Sequence, residues 1–221
     1  LVLLCLSCFA TAGDYNKKFP RKTTSITTYA PVIEIVNAGG LDSSLGEQID
    51  ATTVLHRSRN GLAMTFNTKN LAMEAPYTTW WVVFNGPEKC LNPCECGFAD
   101  VFDPVYADAA KTAVFWASGR MTDDFGQAVF MAQTKRGELP VGEDQVVFGD
   151  GLTSRRAEVH LVTRGQGPID PLNLEAQLTQ FNGGCEVAPE NCFDTHVSVH
   201  RSPFCKVRRG KDRWWKDSDS D

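Results

Sequence analysis

The chain has 221 residues, 42% hydrophobic and 22% charged, the composition of a folded globular protein, which excludes wholesale disorder. Its formal net charge of −5 argues against a general nucleic-acid binder, which needs an excess of Lys and Arg to displace counterions from phosphates. Beyond the first dozen residues no stretch approaches the roughly 18 consecutive apolar residues that span a bilayer, so no transmembrane segment is expected in the mature chain.

The opening run "LVLLCLSCFATA" (1–12) is apolar and ends in Ala10-Thr11-Ala12, the small-x-small pattern that precedes signal-peptide cleavage. With no initiator Met and no basic segment before it, the run reads as a signal whose start is missing, cut after Ala12. Residues 13–30 are polar, basic and Thr-rich, as in a flexible leader. A single domain is expected over 31–204, followed by a basic and then acidic tail over 205–221.

Short β-like stretches follow the leader. "PVIEIVN" (31–37) alternates, "DATTVLHRS" (50–58) is rich in β-branched residues, and "RNG" turns into "LAMTFNTKNL", where Leu62, Met64 and Phe66 share a face. "YTTWWVVFN" (77–85) is apolar on both faces, which predicts a central strand. "TAVFWAS" (112–118) and "QAVFMAQT" (127–134) flank a turn-rich segment and read as a hairpin. In "RRAEVHLVTR" (155–164), Ala157, Val159 and Leu161 oppose Glu158, His160 and Val162. "LNLEAQLTQF" (172–181) carries Leu172, Ala176 and Leu178 near helical spacing, and Gly183-Gly184 ends it. "DTHVSVHR" (194–201) then alternates without a break. The pattern predicts an all-β fold: a β-sandwich of about eight strands with one short helix and disulfide-stapled loops.

Without the signal, six cysteines remain, Cys90, Cys94, Cys96, Cys185, Cys192 and Cys205, an even set that reads as disulfides in an oxidising compartment. Cys185–Cys192 is the best local pair, because "CEVAPENC" is a Pro-containing loop between two strand-like stretches. Cys90 pairs with Cys94 or Cys96, and the cysteine left over reaches Cys205. The competing reading is zinc on the C-x3-C-x-C cluster, which lacks the spaced C-x2-C pairs of a zinc ribbon.

The four histidines are His56, His160, His196 and His200. On a strand His196 and His200 share a face but stand roughly 13 Å apart, too far to chelate one ion. One of them could meet His160 across neighbouring strands, and Glu158 or Asp194 would complete a two-histidine, one-carboxylate site for a transition metal. The plainer expectation is that Asp194, His196, Ser198 and His200 form an outward polar face. Asp194, His196 and Ser198 make a poor triad, since successive same-face side chains run parallel about 6–7 Å apart. "GEDQVVFGDG" lacks both phosphate-binding fingerprints, and Asp144 and Asp150 lack EF-hand spacing, so a polar turn is favoured over calcium. Trp80 and Trp81 point to opposite faces, so an exposed indole is a candidate for stacking on a sugar ring or a partner protein. Trp214-Trp215 in the basic tail suggests an anionic surface or membrane interface, against the simpler reading of a disordered tail.

Three blocks resemble those of a family of uncharacterised secreted proteins, mostly bacterial: "YTTWWVVFNGPEKC", "AEVHLVTRGQGP" and "QLTQFNGGC…C…VSVH". The resemblance covers roughly residues 38–200 and implies secretion, a β-rich domain and the Cys185–Cys192 pair; it implies no activity. A looser similarity to the copper-zinc superoxide dismutase type of sandwich carries no chemistry, because the His-x-His ligand motif is absent. The leading expectation is a non-enzymatic secreted or extracytoplasmic protein that binds an extracellular protein or polysaccharide and needs no cofactor. The alternatives are a metal-binding protein or metal-dependent enzyme using His160, His196, His200 and Glu158, and carbohydrate binding through Trp80 or Trp81.

Overall fold

The computed structural model describes residues 25–35, 44–185 and 192–205. The expected signal peptide, most of the leader and the tail beyond Cys205 lie outside the described residues. Among the described residues there are nine strands: β1 (Ile26–Ile35), β2 (Ser44–Arg57), β3 (Gly61–Thr68), β4 (Pro76–Phe84), β5 (Thr112–Met121), β6 (Ala128–Lys135), β7 (Val146–Phe148), β8 (Glu158–Gln166) and β9 (Cys192–His200). Three short helices join them: α1 (Ala99–Phe102), α2 (Pro104–Ala110) and α3 (Leu174–Thr179). The fold is all-β, as the strand pattern predicts. Its strands, however, form one antiparallel sheet in the order β6-β3-β2-β1-β9-β8-β4-β5-β7 rather than two separate sheets.

The sheet curls so that its two wings share one core. Leu55, Met64, Phe66 and Phe130 from β2, β3 and β6 belong to the same buried cluster as Trp81, Val83, Phe115 and Leu161 from β4, β5 and β8. The bend is made in β1, whose register against β2 breaks between Pro31 and Ile33. Pro31 has no N–H to give to a ladder, so a break there costs little. The strand pairs with β2 on both sides of the break, and beyond it also meets β9, through Ile33 and Glu34.

The hairpin expected from β5 and β6 does not form. Asp123 makes the turn, its Oδ1 accepting from the backbone N–H groups of Phe125 and Gln127. The strands then part: β5 pairs with β4, and β6 pairs with β3 across eight residues, including Phe66 opposite Phe130. The curl brings β5 and β6 near one another without a ladder between them. β1 also starts earlier than expected, inside the segment read as leader.

The outer face of β4, β5, β8 and β9 is covered too, which is why β4 is buried at every position. Trp80, Val82, Phe84, Val114, Val162 and Val197 form a second cluster with Cys90, Cys96 and Ala110 from the cover. That cover contains α1 and α2, absent from the sequence expectation although Asp103-Pro104 is a helix start: Asp103 accepts from the Val105 N–H and Pro104 takes the first turn. The expected helix at 172–181 shrinks to α3 and lacks an apolar stripe, with Leu172 99% exposed. It is held by buried Gln177, whose Nε2 donates to the carbonyls of Gln166 and Pro168. Gly119 admits α3 to β5, since a Cβ there would overlap the Leu178 carbonyl, which Trp116 Nε1 reaches at 3.0 Å.

Three disulfides join Cys90 to Cys96, Cys94 to Cys205 and Cys185 to Cys192, with Cα separations of 5.2, 5.7 and 5.6 Å. They choose between the alternatives left open for Cys90, and with all three of its sulfurs in disulfides the C-x3-C-x-C cluster has no thiolates for zinc. The Cys94–Cys205 link closes a sequence separation of 111 residues, against 7 for Cys185–Cys192. Chain-entropy estimates give about 4–5 kcal/mol for the longer closure and about 2–3 kcal/mol for the shorter. Urea denaturation of the two paired Cys→Ser variants should therefore show the larger loss of stability for Cys94/Cys205.

Candidate functional site

The pairing of β8 with β9 decides where the chemistry-bearing residues go. Val159, Leu161 and Thr163 face inward, and opposite them stand His200, Ser198 and His196. The polar side of "THVSVH" therefore points into the interior, while Val197 and Val199 take the outer face and pack against its cluster. This reverses the expected outward polar face. With both faces of β9 covered, neither side had to be the apolar one. The register shifts between Thr163 and Arg164, leaving Thr195 as the extra residue and turning Asp194 to the outer face opposite Arg164. Asp194, His196 and Ser198 thus do not share a face, and no triad is assembled.

Inside, a short polar network crosses the backbone of β1 at Ala30. Thr53 Oγ1 lies beside Ser198 Oγ, 2.8 Å from His200 Nε2, and 3.2 Å from the Ala30 carbonyl. Thr28 Oγ1 meets His200 Nδ1 at 2.9 Å, so both ring nitrogens of His200 are partnered. Buried Arg57 donates to the carbonyls of Ala157 (2.7 Å) and His200 (3.0 Å). Neither ring nitrogen of His196 has a partner among the described residues. Burial pulls the pKa of both histidines down from 6.5 to about 4, with Arg57 and His160 adding to the effect on His200.

His160 and Glu158 sit on the opposite, outer face. The four proposed metal ligands are therefore split two and two across the sheet. Among the described residues no three His, Cys, Asp or Glu side chains gather as a metal would require. His56 is exposed and bonded to Thr27. Asp144 and Asp150 are exposed at opposite ends of β7. Both indoles are buried, Trp80 and Trp81 each at 1% exposure, so neither offers a free face for a sugar. Trp81 stacks on Phe115 in the inner core, whereas Trp80 packs edge-on against Phe181 and donates to Thr78 Oγ1.

Beside Trp80 the cover leaves a cleft of about 480 Å³, walled mainly by Trp80, Val82, Phe102, Phe148, Val162 and Phe181. Polar side chains border it at two places. At one place Arg164 lies over the Phe181 ring (4.4 Å) and bonds the Phe181 carbonyl, Asp194 and Asn182. Burial raises the Asp194 carboxyl above its usual range, and Arg164 opposes that rise. At the other, His160 Nε2 is 2.8 Å from Glu158 Oε1, which also accepts from Arg201. Glu158 is fully buried, and its second oxygen has no partner among the described residues.

The aromatic walls Phe98, Phe102, Phe148 and Phe181 were not singled out from sequence. The signal available was the four-residue spacing of Phe98 and Phe102 just before Asp103-Pro104, which brings their ring centroids to 4.4 Å. No protein-family model, curated protein or solved structure matches the chain.

The buried histidines set a pH dependence. Each titrates near 6.5 when unfolded and near 4 when folded, so stability is complete above about pH 6.5 and falls as the pH drops toward 4. The loss is on the order of 3 kcal/mol per histidine. Urea midpoints measured from pH 7.5 to 4 should fall steeply for the native protein, and about half as steeply for His196→Leu.

Proposed function

We propose that this is a non-enzymatic, extracytoplasmic binding protein whose outer cleft takes up a small, largely apolar molecule. The observation that carries the reading is the cleft itself: about 480 Å³, walled by aromatic and aliphatic side chains, with few polar groups at its border. Small-molecule sites are commonly about 300–1,000 Å³ and have this kind of lining. Its walls are also held in place. The segment bearing Phe98 and Phe102 is stapled internally by Cys90–Cys96 and tied to the end of β9 by Cys94–Cys205. A wall fixed before binding reduces the ordering entropy that binding must overcome.

An extracytoplasmic location is favoured by three disulfides, which persist in oxidising compartments, and by the signal-like opening run. It accords with the resemblance to secreted β-rich proteins. Among the described residues no helix is long and apolar enough to cross a membrane. The separation of His160 and Glu158 from His196 and His200 gives no support to a shared metal site. The burial of Trp80 and Trp81 weighs against a sugar platform in favour of an apolar wall.

The test is titration of the disulfide-intact protein with the neutral dye N-phenyl-1-naphthylamine. Saturable one-to-one binding with enhanced fluorescence is expected. Val162→Trp, which pushes an indole into the cleft opposite Trp80, should weaken binding at least about tenfold in protein that still unfolds in one cooperative thermal transition, its midpoint lowered by the overpacking. A native protein that fails to saturate, or a Val162→Trp variant that binds equally well, overturns the reading.

A further inference from the structure

We infer that the molecule held in the cleft presents a hydrogen-bond donor, a hydroxyl or phenol, to Nδ1 of His160. The inference rests on the cleft being a small-molecule site and adds what that molecule must carry. It begins from Glu158, which is fully buried at the start of β8 and whose Oε1 receives Arg201. A carboxylate has only acceptors to offer. His160, two residues on and on the same face, must therefore donate to Glu158 through Nε2, at 2.8 Å. In the neutral imidazole that leaves Nδ1 bare, an acceptor with its lone pair in the ring plane.

The ring is held in this orientation from a second side by Phe84, whose edge packs on it at 4.9 Å between centroids. His160 is 5% exposed and lines the cleft, and Nδ1 makes no hydrogen bond among the described residues. Behind it, Glu158 Oε2 is also without a donor among the described residues. A bound acceptor such as an ether or ketone oxygen would set its lone pair against that of Nδ1.

The other polar group narrows the class further. Three of the five N–H groups of Arg164 already donate, to the Phe181 carbonyl, Asp194 and Asn182, and its charge is paired with that of Asp194 at 3.0 Å. A bound carboxylate or phosphate would have to share this cation with the Asp194 carboxylate beside it, so a fatty-acid anion finds no uncompensated positive charge there. The fitting ligand is a neutral apolar molecule with a hydroxyl, a phenol or an alcohol on a ring system.

Calorimetric titration with 2-naphthol, 2-methoxynaphthalene and naphthalene tests this at pH 7.5, above the ordinary histidine range. Native protein should bind 2-naphthol about tenfold more tightly than its methyl ether, the discrimination expected of a buried site built around one hydroxyl. His160→Leu should bring the two to within about twofold while still binding naphthalene. Independently of any variant, ¹⁵N–¹H correlation spectra of native protein should show His160 protonated on Nε2 and bare on Nδ1. Equal affinity for naphthol and ether, a preference that survives His160→Leu, or the opposite tautomer overturns the inference and leaves the apolar cleft standing. Failure of all three compounds to bind overturns the cleft as a binding site.

Discussion

The antiparallel pairing of β8 with β9, with its one-residue shift at Thr195, is the constraint from which the rest of the molecule takes its arrangement. Side chains on a strand alternate, so the register fixes the destination of every residue at once. His196, Ser198 and His200 are sent inward against Thr28 and Thr53; Val197 and Val199 are sent outward under the cover. The shift breaks that alternation at one point, which puts Asp194 beside Arg164 at the edge of the cleft. Without it, Asp194 would share the inner face with His196, and a second carboxylate-bearing position would be buried far from a cation.

Because the sheet curls on itself, its inner face is filled from two wings, and the outer face of β4, β5 and β8 would otherwise expose Trp80, Val82, Val114 and Val162 to water. Burying such side chains is worth roughly 1.5–3 kcal/mol each, which is ample reason for a separate layer to form over them. That layer is thin: two short helices, one buried-glutamine helix and a cysteine-rich loop. It does not fill the space it covers, and the cleft is what remains. The interior and the cleft are chemically different. Inside, the hydroxyl groups of Thr28, Thr53 and Ser198 find partners in one another, in His200 and in the Ala30 carbonyl, whereas the polar groups beside the cleft are ion pairs, Arg164 with Asp194 and Arg201 with Glu158.

Much of the fold was legible in the sequence, and the misses have identifiable causes. β4 could be read as central because its run is apolar at consecutive positions, and β8 because Ala157, Val159 and Leu161 alternate cleanly with Glu158, His160 and Val162. β9 was legible as a strand but not in its facing. A period of two says that histidines and valines part company, not which set goes inside, and a threonine lining supplied by β1 and β2 made the polar side the buried one. The β5–β6 hairpin was misread because adjacency in sequence carries no knowledge of a curl that places β3 beside β6. The histidines of β8 and β9 were legible as candidates individually, but their opposite facing depends on register, which one sequence does not contain. The aromatic lining of the cleft comes from four separate segments and converges only in three dimensions.

The link between Cys94 and Cys205 also bears on how the chain reaches this state. Three thiols, Cys90, Cys94 and Cys96, emerge from synthesis within seven residues of one another, while the partner of the middle one follows 111 residues later. During that interval Cys94 is the nearest oxidant-sensitive neighbour of both others, and a premature ring between it and Cys90 would bar the cover from its place. Thiol–disulfide exchange reverses such rings through mixed disulfides. Formation of the native set therefore depends on such reshuffling, and the arrival of the segment after β9, which delivers Cys205, is the step that commits the cover to the sheet.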